Sequence, residues 1–291
     1  MIAVRLEGGL GNQMYQYAAA RALAQRHQTG VLIDAAALLR PRGNVTRRVF
    51  ELAHFKHTAI LMSDSESRRL SWFHRVPLMS HWVSQWHMIA EQGAGYQPAF
   101  AKLPDQSYLL GYWQSYRYFA DVAAHVAAEF EPLEALSCES QAVADRIAGT
   151  SSVAVHVRRG DYVTLPSAAN FHGVLPLDYY AKAMERVQLA EPQAHCFVFS
   201  DDLAWCKAHL PGAMPMTFVG HNAGSDAWQD LNLMSKCRHH VIANSSFSWW
   251  GAWLADQRWG VTGRRVIAPK RWFAGQQQVS PDRCPEHWEK I

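Results

Sequence analysis

The sequence predicts an α/β protein of parallel sheets in two domains, and three observations carry that expectation. Short apolar or β-branched runs alternate with helical patterns through the second half. The first half opens in the same way, with strand, glycine turn, helix and strand. The 291 residues correspond to about two domains at roughly 150 residues each, a size that buries about three quarters of the unfolded surface.

The chain begins with an apolar strand at 2–6, a glycine turn, a helix over 14–27 and a second strand at 31–34. Residues 40–105, rich in His, Trp, Arg and Ser and punctuated by Pro77, Pro98 and Pro104, read as a helical insertion with loops. A boundary falls near 135–150, giving domains 1–145 and 146–291. Beyond it, strands at 152–157, 195–200, 216–220, 239–243 and 264–268 alternate with helices at 178–190, 202–210, 226–237 and 248–256. There is no internal repeat and no low-complexity tract.

Composition removes several classes of function. With 28 Lys+Arg against 25 Asp+Glu the net charge is +3, too small for a nucleic-acid partner. The 49% hydrophobic and 18% charged content excludes a disordered chain. Five cysteines without a CxxC pair argue against a disulfide framework or a zinc site, and for a reducing compartment. The opening MIAVRLEGGLGNQ has no signal-peptide core, and no run of about 18 apolar residues is present to cross a membrane. The twelve tryptophans prompt a thought of sugar stacking, although most tryptophans are simply core.

Ligands in open α/β sheets bind beyond the carboxyl ends of the strands, and the polar clusters here follow the strands. Glu7-Gly8-Gly9-Leu10-Gly11-Asn12-Gln13 follows the first strand, and Arg158-Arg159-Gly160-Asp161-Tyr162 follows the strand at 152–157. Asp201-Asp202 follows 195–200, and Asn244-Ser245-Ser246-Phe247-Ser248 follows 239–243. Plainer readings exist: a tight connection for the glycines, helix caps for Ser245, Ser246 and Asp201. Asp201-Asp202 resembles a metal-binding pair but lacks further carboxylates nearby. His54, His57, His74 and His81 lack ligand spacing, whereas His156 ends an apolar strand beside the arginines. Two arginines and two helix N-termini together suit a diphosphate, because guanidinium stays charged when buried and helix N-termini offer free N–H groups. With no Walker lysine motif, transfer of a sugar from a nucleotide sugar fits better than phosphoryl transfer.

GGLGNQMYQYAAARAL (8–23), GYWQSYRYF (111–119), HVRRGDYV (156–163), FSDD (199–202), DLNLMSKCRHHVIANSSFSWWGAWL (230–254) and VIAPKRWF (266–273) closely resemble the α-1,2-fucosyltransferases of glycosyltransferase family eleven. The resemblance runs from the first strand to about Phe273 and is weakest over 40–105. The HxRRxD signature is shared with α-1,6- and protein O-fucosyltransferases, while NSSFSWWGAW is more specific to this family.

The resemblance implies a GT-B-type architecture, two Rossmann-like domains facing across a cleft, with the acceptor on the N-terminal domain and GDP-fucose on the C-terminal one. It implies metal-independent, inverting transfer of L-fucose from GDP-β-L-fucose to the 2-hydroxyl of a terminal β-galactoside glycan acceptor. Arg158 would bind the β-phosphate and stabilise the leaving GDP; His156 and Asp230 would lie near guanine; Ser245, Ser246 and Phe247 would surround the nucleotide. Gly11 and Asn12 would face the diphosphate, and Asp161 would orient Arg158 and the more structural Arg159. For the proton of the acceptor hydroxyl, Asp161 leads, with Glu7, Asp201, Glu91, water or a GDP oxygen as alternatives. Tyr15 stands where the family has Phe, and Tyr116-Arg117 replaces a charged pair in the YWQS segment. Animal relatives carry a membrane anchor that this sequence lacks, which points to a bacterial enzyme working in the cytoplasm on lipid-linked surface-glycan precursors. Trp72, Trp82 and Trp86 with Arg68, Arg69 and Arg75 suggest either peripheral contact with the inner membrane or the acceptor, or plain helix packing.

Three rivals remain. A dinucleotide-binding oxidoreductase would use Gly9-Leu10-Gly11 and Asp34, but Met14 occupies the third glycine position. A carbohydrate-binding module would use the tryptophans and leave the arginines idle. Another GDP-sugar or linkage would share every motif above.

Overall fold

A computed structural model describes residues 1–39, 48–73, 85–160, 163, 173–212, 214–274 and 282–291. The chain forms two compact units, Met1–Leu133 with Val279–Arg283, and Glu134–Gln278 with Cys284–Ile291.

The first unit holds β1 (Ile2–Arg5), β2 (Val31–Asp34), β3 (Ile60–Leu61), β4 (His87–Ala90) and β5 (Ser107–Leu110). They lie in the order β3-β2-β1-β5-β4, and every pairing is parallel. Helix α1 (Leu10–Arg26) is buried along most of its length, because its alanines let the strands approach on more than one side. Helices α2 (Ala36–Leu39), α3 (Asp64–Phe73) and α4 (Ala123–Glu129) complete the described helices of this unit. Residues 40–105 therefore do not form a mere insertion: they supply β3 and β4, the two edges of the sheet. Their short length hides them in the sequence, and both residues of β3 are exposed, so no buried run marks it. Helix α1 also starts at Leu10 rather than at 14, since the backbone N–H groups of Asn12 and Gln13 already donate to the Gly9 carbonyl. Gly11 and Asn12 are thus first-turn residues of a helix.

The second unit holds β6 (Ser151–Val157), β7 (Ala194–Ser200), β8 (Met216–Val219), β9 (His239–Val241), β10 (Val266–Ala268) and β11 (Glu289–Lys290). Their order is β11-β10-β9-β6-β7-β8, again all parallel. Numbered within the unit and taken from β8, this is 3-2-1-4-5-6, the doubly wound order whose direction reverses between β6 and β9. Helices α5 (Cys138–Ala148), α6 (Leu177–Ala190), α7 (Leu203–His209), α8 (Ala227–Lys236) and α9 (Ser246–Trp259) accompany it. Val153, Val155 and Val157 of β6 pack with Val198 of β7 and with Tyr180, Met184 and Val187 of α6. The molecule is therefore a pair of Rossmann-like α/β domains of GT-B type.

The units divide between Leu133 and Glu134, upstream of 145/146. The reason is α5: Ser137 caps it, the Ser137 N–H donates to Gln229 Oε1 of α8 (2.8 Å), and the helix packs in the second unit. Near the other end Asp282 and Arg283 return to the first unit, where the Tyr96 N–H donates to Asp282 Oδ2 (3.0 Å).

The tryptophans of the second unit are mostly core. Trp249, Trp250 and Trp253 of α9 pack with one another, Trp288 lies tilted against Trp249, and all four are buried. Trp288 Nε1–H donates to Asp256 Oδ2 at 2.7 Å, which satisfies its one polar atom. Trp86 of the first unit packs on the cluster of Ala3, Leu70, Tyr108 and Leu110, while Arg75 and Trp82 lie outside the described residues. Among the described residues no helix is long and apolar enough to cross a membrane.

Candidate active site

In a βαβ crossover the helix runs antiparallel to its strands, so helix first turns and strand carboxyl ends share one edge of the sheet. On that edge of the second unit stand Arg158 after β6, Asp201 after β7, Ser245 after β9 and Asp230 in the first turn of α8. Arg158 and the start of α9 follow the two strands at which the winding reverses.

The Arg158 guanidinium meets Asp201 (Nη1 to Oδ2, 3.0 Å) and is 30% exposed, leaving it reachable. Arg159 turns elsewhere: Nε lies 3.2 Å from Asp202 Oδ2, and the guanidinium sits 4.1 Å over the Trp205 ring. Asp202 in turn caps α7 by accepting the Trp205 N–H at 3.1 Å. The two arginines thus separate into one that faces the open edge and one locked against α7. Both carboxylates of the Asp201-Asp202 pair are engaged by guanidinium, which accounts for them without a cation. Among the described residues no group of three or more His, Cys, Asp or Glu is placed to hold a metal ion.

His156 is buried with its ring tilted against Phe247, centroids 5.9 Å apart. Burial first, and then the positive Arg158, pushes its pKa down to about 4, so the ring is neutral near pH 7. Its Nδ1 is buried with no hydrogen-bond partner, a cost that a bound ligand group would relieve. Ser245 is the N-cap of α9, accepting the Phe247 N–H (3.3 Å), so its hydroxyl has the structural task as well as the position. Ser246 and Phe247 form the first turn of this 14-residue helix, whose positive end suits an anion. Asp230 accepts from Asn222 Nδ2 (2.8 Å), and Asn222 is held by Ser140. Burial raises the Asp230 pKa to about 7, only partly opposed by that hydrogen bond. Asp161 lies outside the described residues.

In the first unit the turn after β1 requires glycine. Gly8 has φ +79°, and a Cβ there would stand 2.4 Å from Asn12 Nδ2. Asn12 Oδ1 accepts from Gln114 Nε2 (2.7 Å), and Gln114 Oε1 accepts from Arg283. Two fully buried glutamines, unassigned in the sequence reading, hold this edge. Gln13 Nε2 donates to the Gly8 and Val49 carbonyls (3.1 and 2.9 Å). Gln16 accepts the Glu7 N–H (3.0 Å) and donates to the Gly111 carbonyl (3.1 Å), tying the ends of β1 and β5 together. Their signal was visible as polar residues at i and i+3 leading into the apolar run Tyr17–Ala20.

The remaining candidate carboxylates are occupied by the protein. Glu91 Oε2 accepts the N–H groups of Tyr112 (2.7 Å) and Trp113 (2.9 Å). That anchor holds a turn in which Gly111 has φ +143° and Trp113 has φ +53°. Glu7 pairs with Arg5 at 2.5 Å. Asp34, the acid of the dinucleotide reading, is buried and accepts from Ser67 Oγ (2.6 Å), Tyr108 OH (2.6 Å) and the Ala36 N–H (3.0 Å). Three of its roughly four lone-pair sites are filled from within the chain and the side chain is buried, so it is not presented to a ribose, and that reading loses its support. Arg117, in the divergent Tyr116-Arg117 pair, lies 4.5 Å over Tyr96 and 3.4 Å from Asp282.

Known proteins resemble this chain along most of its length. The Glycosyl transferase family 11 model matches residues 1–283. An Alpha-1,2-colitosyltransferase of Escherichia coli is 32% identical, covering 100% of this chain and 99% of that protein. The Galactoside 2-alpha-L-fucosyltransferase Sec1 of Mus musculus is 26% identical, covering 87% of this chain and 64% of that protein. Among solved structures, an Arabidopsis thaliana FUT1 mutant in complex with GDP superposes with a TM-score of 0.53 at 13% identity, covering 97% of this chain and 72% of that one. A family match over nearly the whole length, with a relative 32% identical along the whole chain, leads to one conclusion: this chain belongs to glycosyl transferase family 11.

Proposed function

We propose that the protein transfers L-fucose from GDP-β-L-fucose to the 2-hydroxyl of a terminal β-galactoside on a bacterial surface glycan precursor, with inversion to an α-1,2 linkage. The observation that carries this reading is Arg158 at the end of β6, beside the strand whose end opens α9 with Ser245-Ser246-Phe247. A guanidinium and a helix N-terminus at one sheet edge meet the charge that gathers on a departing diphosphate, so the reaction needs no divalent ion. Neutral His156, with its open Nδ1, and Asp230, with a carboxylate oxygen beyond Asn222, suit the edge of a purine that offers both donors and acceptors. As the bond from C1 to the β-phosphate oxygen breaks, the galactose O2 bonds to C1, its proton leaves to a base, and GDP departs. Asp161 is our candidate for that base, because Asp201, Glu7 and Glu91 are already bound to other groups of the chain.

The similarity to a colitosyltransferase favours a second donor of the same class, GDP-colitose, whose sugar lacks one ring hydroxyl of L-fucose. Both donors would share the nucleotide site. The decisive experiment is GDP release in excess EDTA, with GDP-fucose and GDP-colitose compared against a panel of terminal β-galactosides. Acceptor-dependent release with an α-1,2 product by NMR is expected. Release that requires added metal, or no binding of GDP at all, would overturn the proposal.

A further inference from the structure

We infer that Asp201 is a positioning residue that aims Arg158 at the departing diphosphate. The inference rests on the reading of Arg158 given above. β6 and β7 run in register with Val157 opposite Ser200, so Arg158 and Asp201 are the next residues of the two chains as they leave the sheet. Each oxygen of the Asp201 carboxylate has its own task. Oδ2 lies 3.0 Å from Arg158 Nη1, and Oδ1 accepts the Arg159 backbone N–H at 2.9 Å. Gly160 completes the wrap, since a Cβ there would stand 2.6 Å from Oδ2. Three consecutive residues, 158 to 160, therefore close on one carboxylate.

That arrangement fixes the Arg158 rotamer before a ligand arrives and turns the backbone so that Arg159 falls to Asp202 and Trp205. A guanidinium has five N–H groups in a planar fork, and that of Arg158 stays 30% exposed beside the carboxylate, so phosphate can reach it. A long cationic side chain held in place needs no reorganisation when charge develops on the leaving oxygen, which is the source of electrostatic catalysis. Asp201 does this with both oxygens engaged, and it is accordingly not the base that receives the acceptor's proton.

The test is a double-mutant cycle on the full chain, measuring kcat, KM for the donor and GDP affinity. Asp201→Asn should lower kcat by about tenfold to a hundredfold, the scale set by misplacing a catalytic group. GDP should bind as tightly as before or more tightly, because a negative charge beside the phosphate is gone. A general folding defect would weaken both. In an Arg158→Ala background the same Asp201→Asn change should alter kcat less than about twofold, since its effect on catalysis runs through Arg158 and the amide oxygen of Asn can still accept the Arg159 N–H. Gly160→Ala supplies an independent variant that changes no charge: its methyl group displaces the carboxylate, and kcat should fall likewise and only when Arg158 is present. Wild-type kcat in Asp201→Asn or in Gly160→Ala, or an undiminished loss in the Arg158→Ala background, would overturn the positioning role. Wild-type kcat in Arg158→Ala alone would instead overturn the diphosphate reading, a result the cycle reports separately.

Discussion

Two adjacent arginines, chemically identical, receive opposite tasks from their neighbours. Arg159 is stacked and ion-paired against α7, whereas Arg158 stays 30% exposed at the open edge. Arg158→Ala should therefore lower kcat by about two to three orders of magnitude, the usual effect of removing a group that stabilises a departing anion. Arg159→Ala should act mainly through stability, and comparing melting temperature with kcat for the two variants checks the division. Asp230 supplies a pH dependence. Its folded pKa, about 7, exceeds the ordinary aspartate value of 3.8, so between those limits the folded state holds a proton that the unfolded state releases. Stability from this group consequently falls as pH rises from about 4 to about 7, and is constant outside that window. Asp230→Asn should remove the dependence, gaining up to about 4 kcal/mol near pH 7 relative to wild type and nothing below pH 4. Denaturant titrations across the pH range would show it. GDP should bind more tightly above pH 7, where Asp230 is ionised.

Helix α9 shows how one element serves both core and site. Its length carries Trp249, Trp250 and Trp253 into the interior while its first turn opens at the sheet edge. The helix reaches α8 closely because position 251 has no side chain: a Cβ there would stand 2.9 Å from Met234 Cβ. Gly251→Ala should push α8 and α9 apart and cost about 1–3 kcal/mol, as overpacking does. Since Asp230 rides on α8 and Ser246-Phe247 begin α9, GDP affinity should fall with stability. Calorimetry and GDP titration on the same variant would test the link; unchanged stability would refute the packing argument. Helix α1 repeats the theme with buried Gln13 and Gln16, whose amides replace the hydrogen bonds that the glycine turn and the end of β5 otherwise lack.

At the scale of the whole molecule, the two units are not simply consecutive halves. The chain completes the second sheet only with β11, after Asp282 and Arg283 have joined the first unit. Arg283 is buried, and Asp282 receives the Tyr96 N–H. Truncation before Val279 should therefore lower protection in both units, reaching β10 in one and the Tyr96–Gln114 region in the other. Hydrogen exchange by mass spectrometry reads the two separately, and an effect confined to the second unit would contradict the tie.

Several features were legible in the sequence because they are local. The strands 152–157 and 195–200 are long, apolar and buried on both faces, and they appear where the pattern places them. The motifs that follow them, with the glycine turn and NSSFSWW, were sufficient for the family. Short edge strands were not legible: β3, β4 and β11 have two to four residues each and owe their state to a neighbouring strand rather than to their own composition. The partnership of Arg158 with Asp201 was hidden for a related reason, since the two lie 43 positions apart and meet only because β6 and β7 pair in parallel. Sequence by itself determined the family, the sheet class and the edge at which chemistry gathers, because periodicity and strand-end motifs are written along the chain. Tertiary structure alone decided which arginine stays exposed at the sheet edge, which carboxylate is occupied and where the units divide, because those depend on through-space distance, burial and competing hydrogen bonds.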